Sequence, residues 1–137
     1  MSDRPARALT PVEMREMEAS WRMSPAVEVG GLLFLTGFNG ADLDGRAPGD
    51  AEAQIETAFR QVEATLAAAG AGFEHLVEVT SYHVGLRDHL AAFKSAWAKR
   101  MRRPYPAWTA IEVAGFATEG VVIELRCVAR APGSGAA

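Results

Sequence analysis

The sequence predicts a single α+β domain in which one mixed β-sheet is covered on one face by two helices. Three observations predict it. Residues 51–69 and 87–101 each repeat apolar side chains at helical spacing. Five shorter runs, residues 26–29, 32–38, 76–84, 107–113 and 121–129, read as strands from their alternation or their β-branched and aromatic content. Their order is β-β-α-β-α-β-β after a short N-terminal helix, so the helices are connections within one sheet.

Residues 1–9 are expected to fray. Thr10-Pro11-Val12-Glu13 then offers a capping residue, a first-turn proline and a Glu three positions after the cap, the signature of a capping box. A short helix over about residues 11–20 should follow, with Met14, Met17 and Trp21 as its apolar side. Gly30-Gly31 joins the first two strands and supplies the positive φ angles of a tight hairpin. Residues 39–49 read as a loop closed by Asp50 as N-cap. The first long helix then places Ile55, Ala58, Phe59, Val62, Leu66 and Ala69 on one side and stops at Gly70. The second aligns Leu90, Phe93, Trp97 and Met101, and Pro104 and Pro106 end it. The organisation is an extension over residues 1–21, a domain over 22–130 and a flexible tail over 131–137.

With 137 residues, 49% hydrophobic and 23% charged, the chain has the composition of one globular core. Its net charge of −3, and a single dense basic stretch at Lys99, Arg100, Arg102 and Arg103, argue against nucleic acid as the main partner. That stretch reads as a solvated helix end. Cys127 is the only cysteine, which rules out an intramolecular disulfide and fits a reducing, cytoplasmic setting. The charged first twenty residues do not read as a signal peptide, and no apolar run reaches the roughly 18 residues of a membrane span.

Three stretches resemble the RidA (YjgF) family: Val29-Gly30-Gly31-Leu32-Leu33-Phe34-Leu35-Thr36-Gly37; Leu66-Ala67-Ala68-Ala69-Gly70 running on to Val77-Glu78-Val79-Thr80; and Pro106-Ala107-Trp108-Thr109-Ala110-Ile111-Glu112-Val113-Ala114 with Val122-Ile123-Glu124-Leu125. The resemblance implies a chorismate-mutase-like fold assembled as a homotrimer, with small-molecule clefts between neighbouring chains. It also implies hydrolysis of reactive enamines and imines, such as 2-aminoacrylate, to a keto acid and ammonia without metal or cofactor. In that chemistry an arginine holds the substrate carboxylate and a glutamate orients water. Carried over residue by residue, the glutamate corresponds to Glu124 and the Ser-Gly ending the second strand to Thr36-Gly37. The arginine position holds Trp108, followed by Thr109 and Ala110, while a family tyrosine aligns with Met23 and an asparagine with Lys94.

These residues define the candidate site: Glu124 and Thr36 for catalysis, with Trp108, Gly37, Ala110, Met23 and Lys94 for substrate binding. Glu124 stands among Val121, Val122, Ile123 and Leu125, where desolvation raises a carboxyl pKa and suits a base for water. Its other reading is a strand-face carboxylate paired with Arg126, Arg130 or a neighbouring chain. Thr36 and Gly37 offer a hydroxyl and a backbone N–H to a substrate oxygen, or simply end a strand. Indole has one donor and a broad ring where arginine has a planar fork, so Trp108 favours an aromatic, apolar or cationic ligand, or else fills the cleft by packing. His83 alternates with Ser81 and Val79 and is expected on the helix-facing side as a hydrogen-bonded structural histidine; Cys127 is expected as a core thiol.

The leading expectation is a cytoplasmic RidA-like enzyme acting on an imine, enamine or related electrophile of altered specificity, with 2-aminoacrylate a poor substrate. The alternative is a non-catalytic metabolite-binding or regulatory trimer that uses the same inter-subunit cleft. A ribonuclease finds little electrostatic support in an acidic chain.

Overall fold

The computed structural model describes residues 6–133. Its strands are β1 (Arg7–Leu9), β2 (Ala26–Val29), β3 (Leu32–Leu35), β4 (Phe38–Asn39), β5 (Leu76–His83), β6 (Ala107–Glu112) and β7 (Ile123–Arg130). Its helices are α1 (Arg15–Trp21), α2 (Ala51–Ala68) and α3 (Leu86–Arg100). One sheet runs in the order β1-β2-β3-β7-β5-β6, with β4 also paired to β7. Among the described residues only β5 and β6 pair in parallel, joined by α3 as the crossover, and this makes the sheet mixed.

The core lies on one face. Ile55, Ala58, Phe59, Val62 and Leu66 of α2 and Phe93 and Ala96 of α3 are buried in one cluster with Leu33, Leu35, Val79, Ile123, Leu125, Cys127 and Ala129 from the strands. Phe93 is its hub, with ring centroids 5.7 Å from Phe59, 5.1 Å from His83 and 5.4 Å from Trp108. The opposite face of the sheet carries no helix from this cluster, and Phe34, Val77 and Ile111 are exposed apolar side chains of the sheet. Burial raises the Cys127 thiol to about 12, in keeping with a core thiol.

The hairpin and the caps follow local chemistry. Gly30 and Gly31 sit at φ 59° and 80°, and Val29 pairs with Leu32 across them. Asp50 caps α2 by accepting a hydrogen bond from the Glu52 amide at 3.0 Å. The expected capping box at Thr10 does not form: Pro11 takes the cap position and Val12–Met14 makes a 3-10 turn with no side-chain cap bond. Pro11 keeps an extended ψ of 147°, outside the helical run, and its carbonyl accepts from the Met14 amide at 2.9 Å to open the tighter turn. Met14 is buried, but Trp21 is 61% exposed and is not on the buried side.

Two boundaries differ further from the sequence reading. Arg7–Leu9 is a strand on the free edge of β2, pairing Arg7 with Glu28 and Leu9 with Ala26, where residues 6–9 were expected to fray. The Arg7–Glu28 ion pair at 2.6 Å holds its end. The expected strand over residues 32–38 breaks at Thr36-Gly37 into β3 and β4. In the expected tail, Ala131 is buried and donates to the Gly31 carbonyl at 2.9 Å; residues 1–5 and 134–137 lie outside the described residues. No helix among the described residues is long and apolar enough to cross a membrane.

Because Phe93 is fully buried at the meeting point of both helices and the sheet, Phe93→Ala should destabilise the protein by about 3–5 kcal/mol. Urea unfolding at fixed protein concentration measures it, with Leu90→Ala on the half-buried flank of α3 as the milder control.

Candidate functional site

The site begins with the period of β7. Ile123, Leu125, Cys127 and Ala129 are buried towards the helices, and so Glu124, Arg126, Val128 and Arg130 stand on the opposite face. β3 pairs Phe34 with Val128, and β4 pairs Phe38 with Leu125, so four steps on one strand are matched by three on the other. The extra residue is taken up at Thr36-Gly37 as a bulge, a device that bends a strand and re-aims its side chains. The Glu124 carboxylate lies directly against this bulge. A Cβ added at Gly37 would stand 2.5 Å from Glu124 Oε2 and 2.9 Å from Glu124 Cδ. Glycine is therefore needed here for space.

Glu124 is half-buried and takes part in no ion pair or side-chain hydrogen bond among the described residues. Burial raises its pKa above the ordinary carboxylate value. On one side it lines a cleft of about 720 Å³ together with Met23, Thr36, Gly37 and residues of α1 and of the 39–45 loop. Within it the Thr36 hydroxyl donates to the Met23 sulfur at 3.3 Å. On the other side Glu124 lines a hollow of about 290 Å³ with Gly37, Tyr82, Val113, Gly115, Phe116 and Arg126.

Thus the structure brings Glu124, Thr36, Gly37 and Met23 together, and it takes the other three candidates elsewhere. Trp108 packs on the helix side of β6, its ring stacked 4.8 Å from Trp97 and its Nε1–H donating to Ser81 Oγ at 2.9 Å. It does not line either of the two spaces that this chain forms beside Glu124. The physical reason is alternation: Trp108 pairs with buried Val79, on the side where an indole gains aromatic contacts and a partner for its N–H. Ala110, two residues on, pairs with buried Ser81 on that same side, and Lys94 is an exposed residue of α3. Ser81 also bonds His83 Nε2 at 2.7 Å, and His83 Nδ1 bonds His89 Nε2 at 2.9 Å. His83 is the buried, hydrogen-bonded histidine expected on the helix-facing side.

With this geometry in view, comparison with known proteins is decisive. The family model described as Endoribonuclease L-PSP matches residues 13–131. RutC family protein YjgH of Escherichia coli (strain K12) is 34% identical over 126 residues, 91% of this chain and 95% of that protein. The chain belongs to the RidA (YjgF) family. A solved structure of protein YjgH superposes with a TM-score of 0.86 at 33% identity, covering 94% of this chain and 98% of its own. RidA from the Antarctic bacterium Psychrobacter sp. PAMC 21119 gives a TM-score of 0.72 at 27% identity, covering 79% and 87% of the two chains.

Within this RidA-family fold, two residues that hold loops and helix ends in place went unread in the sequence. Gln54 is buried, donates to the Pro48 and Gly120 carbonyls at 2.7 and 2.8 Å, and accepts from the Val122 amide at 2.8 Å. It ties the loops before α2 and before β7 together. A glutamine at a helix start carries no signal of that role. Glu112 accepts from the Gly85 and Leu86 amides at 3.0 and 2.7 Å and so caps α3 from a neighbouring strand, a contact that only tertiary structure reveals.

The histidine pair makes stability depend on pH. Burial first, and the neighbouring His89 second, push His83 down to about 4 from 6.5. Burial likewise lowers His89, against the opposing charges of Asp88 and Glu112. The unfolded chain therefore binds more protons than the folded one between about pH 6.5 and 4. Stability should be full above that window and fall through it on acidification, by up to about 1.4 kcal/mol per pH unit for each proton. Urea midpoints compared at pH 7 and pH 5 test this, and His83→Gln should flatten the slope.

Proposed function

We propose that this protein is a cytoplasmic, homotrimeric hydrolase of reactive imines or enamines, in which Glu124 is the base that orients and deprotonates water. The observation that carries the reading is the Glu124 carboxylate itself: half-buried, unpaired, held against Gly37 and open to a cleft. A carboxylate that is paired structurally has its pKa pulled down, whereas this one is raised by burial and so accepts a proton more readily. The exposed apolar side chains on the sheet face turned away from α2 and α3, Phe34 and Ile111 among them, support assembly through that face.

In the proposed reaction, water bound to Glu124 attacks the iminium carbon. The new C–O bond forms as the C=N π electrons move to nitrogen, and the water proton passes to Glu124. Glu124 then returns that proton to the nitrogen; as the C–N bond breaks and the carbonyl forms, the hydroxyl proton passes back to Glu124 and on to the departing amine, which leaves as its ammonium and regenerates the carboxylate. The Thr36 hydroxyl, which lines the same cleft, is assigned as donor to the developing oxygen and would turn from the Met23 sulfur to do so. Trp108 holds the sequence position of the carboxylate-binding arginine, and its ring is engaged with Trp97 and Ser81. Specificity accordingly differs from that of a 2-aminoacrylate deaminase.

The test is ammonia release from a panel of imines generated in situ, against the buffer rate. Purified protein should accelerate at least one imine, with 2-aminoacrylate a poor substrate. Glu124→Ala should remove the acceleration. Gly37→Ala, which displaces the carboxylate, should lower kcat about tenfold or more with the fold retained by circular dichroism. The rate should fall on acidification through a pKa above the usual carboxylate value, because the base is lost on protonation. Saturable ligand binding in the cleft with no turnover of any imine would assign the protein instead to the non-catalytic class.

A further inference from the structure

The two spaces beside Glu124 differ in charge. The wide cleft has Glu13, Glu16, Asp42 and Asp44 in its lining and no lysine or arginine. The smaller hollow has one cation, Arg126, with Tyr82, Val113 and Phe116 around it. Arg126 stands two residues beyond Glu124 on the same face of β7, about 6–7 Å along the strand. Arg126 makes no ion pair and no side-chain hydrogen bond among the described residues, and in particular does not neutralise Glu124. Tyr82 pairs with Glu124 across β5 and β7, which puts its ring on the same face. An unpaired guanidinium and an unpaired carboxylate thus share one hollow without joining each other.

We propose that this hollow is an anion-binding subsite in which Arg126 holds a carboxylate of the ligand, so that the ligand lies across Glu124 with its anionic end on Arg126 and its amine end in the acidic cleft. A guanidinium fork binds a carboxylate through two charge-assisted hydrogen bonds. Val113 and Phe116 offer hydrocarbon contact beside it, and so favour a branched or aromatic side chain over a bare methylene. Four carboxylates besides Glu124 in the cleft repel an anion and attract a protonated amine. The same polarity gives the departing ammonium a route away from Arg126. The orientation across Glu124 rests on the hydrolase reading above; the anion subsite on Arg126 does not.

Calorimetric titration of the assembled protein with 3-methyl-2-oxobutanoate and with its uncharged methyl ester separates the two. The acid should bind about tenfold or more tightly than the ester. Arg126→Gln should abolish that preference, Arg126→Lys should keep part of it, and Glu124→Gln should bind the acid at least as tightly as the unaltered protein while losing turnover. Equal binding of acid and ester, or unchanged acid binding by Arg126→Gln, overturns the subsite whatever the imine assay shows. So does a change in assembly mass for Arg126→Gln by light scattering, which would make Arg126 an interface residue. Binding of the acid through Arg126 with no imine turned over would keep the subsite and remove the hydrolase.

Discussion

The alternation of β7 is the constraint on which both the core and the site depend. This strand is hydrogen-bonded to β3 and β4 on one side and to β5 on the other, so its register is fixed from two directions. Its odd-numbered residues fill the space beneath α2 and α3, and its even-numbered residues therefore face away. A slip of one residue would drive Glu124 and Arg126 into the helix layer and expose Ile123 and Leu125. The unpaired charges of the site are tolerable because four buried apolar side chains hold the strand the other way round. The bulge at Thr36-Gly37 completes this arrangement by bringing backbone without a side chain up to the carboxylate.

The same rule explains why Trp108 stands apart from Glu124. Its strand, β6, is an edge strand parallel to β5, and its side chain starts on the helix side. A long, flexible, charged side chain at an edge can carry its head round to water. An indole cannot, and here it has an aromatic partner in Trp97 and an acceptor in Ser81. Trp108 thereby forms one aromatic layer with Phe93 and Trp97 beneath α3.

How legible the molecule was depends on the length over which a pattern runs. α2, α3 and β5 repeat their periods over many residues and form where the spacing predicts them, and Gly30-Gly31 marks its hairpin by conformational need alone. The three residues of β1 have too little pattern to read, since what makes them a strand is the free edge of β2. The break between β3 and β4 was hidden because a bulge is defined by its partner strand, and the partner lies about ninety residues later. Glu124, Thr36, Gly37 and Met23, read from separate stretches of the sequence, line one cleft of the folded chain. Trp108 and Ala110 take the helix side of β6 and Lys94 an exposed turn of α3, away from Glu124 within the chain. The strand period tells which face a side chain takes: counting two from Glu124 reaches Arg126 without any coordinates.

What remains is why an unpaired carboxylate persists at the edge of a core at all. Full burial of an ionised Glu124 without a partner would cost several kcal/mol, and the group would neutralise instead. Full exposure would leave it an ordinary weak base. The position beside Gly37 lies between these limits: the carboxylate loses part of its water to the backbone of the bulge while the cleft keeps the rest within reach. An alanine at 37 would force the side chain out of that position, and a cation in contact would lower its basicity. In the hydrolase reading, the small residue at 37 and the separation of Arg126 from Glu124 are one requirement, that the group stay desolvated enough to accept a proton and unpaired enough to pass it on.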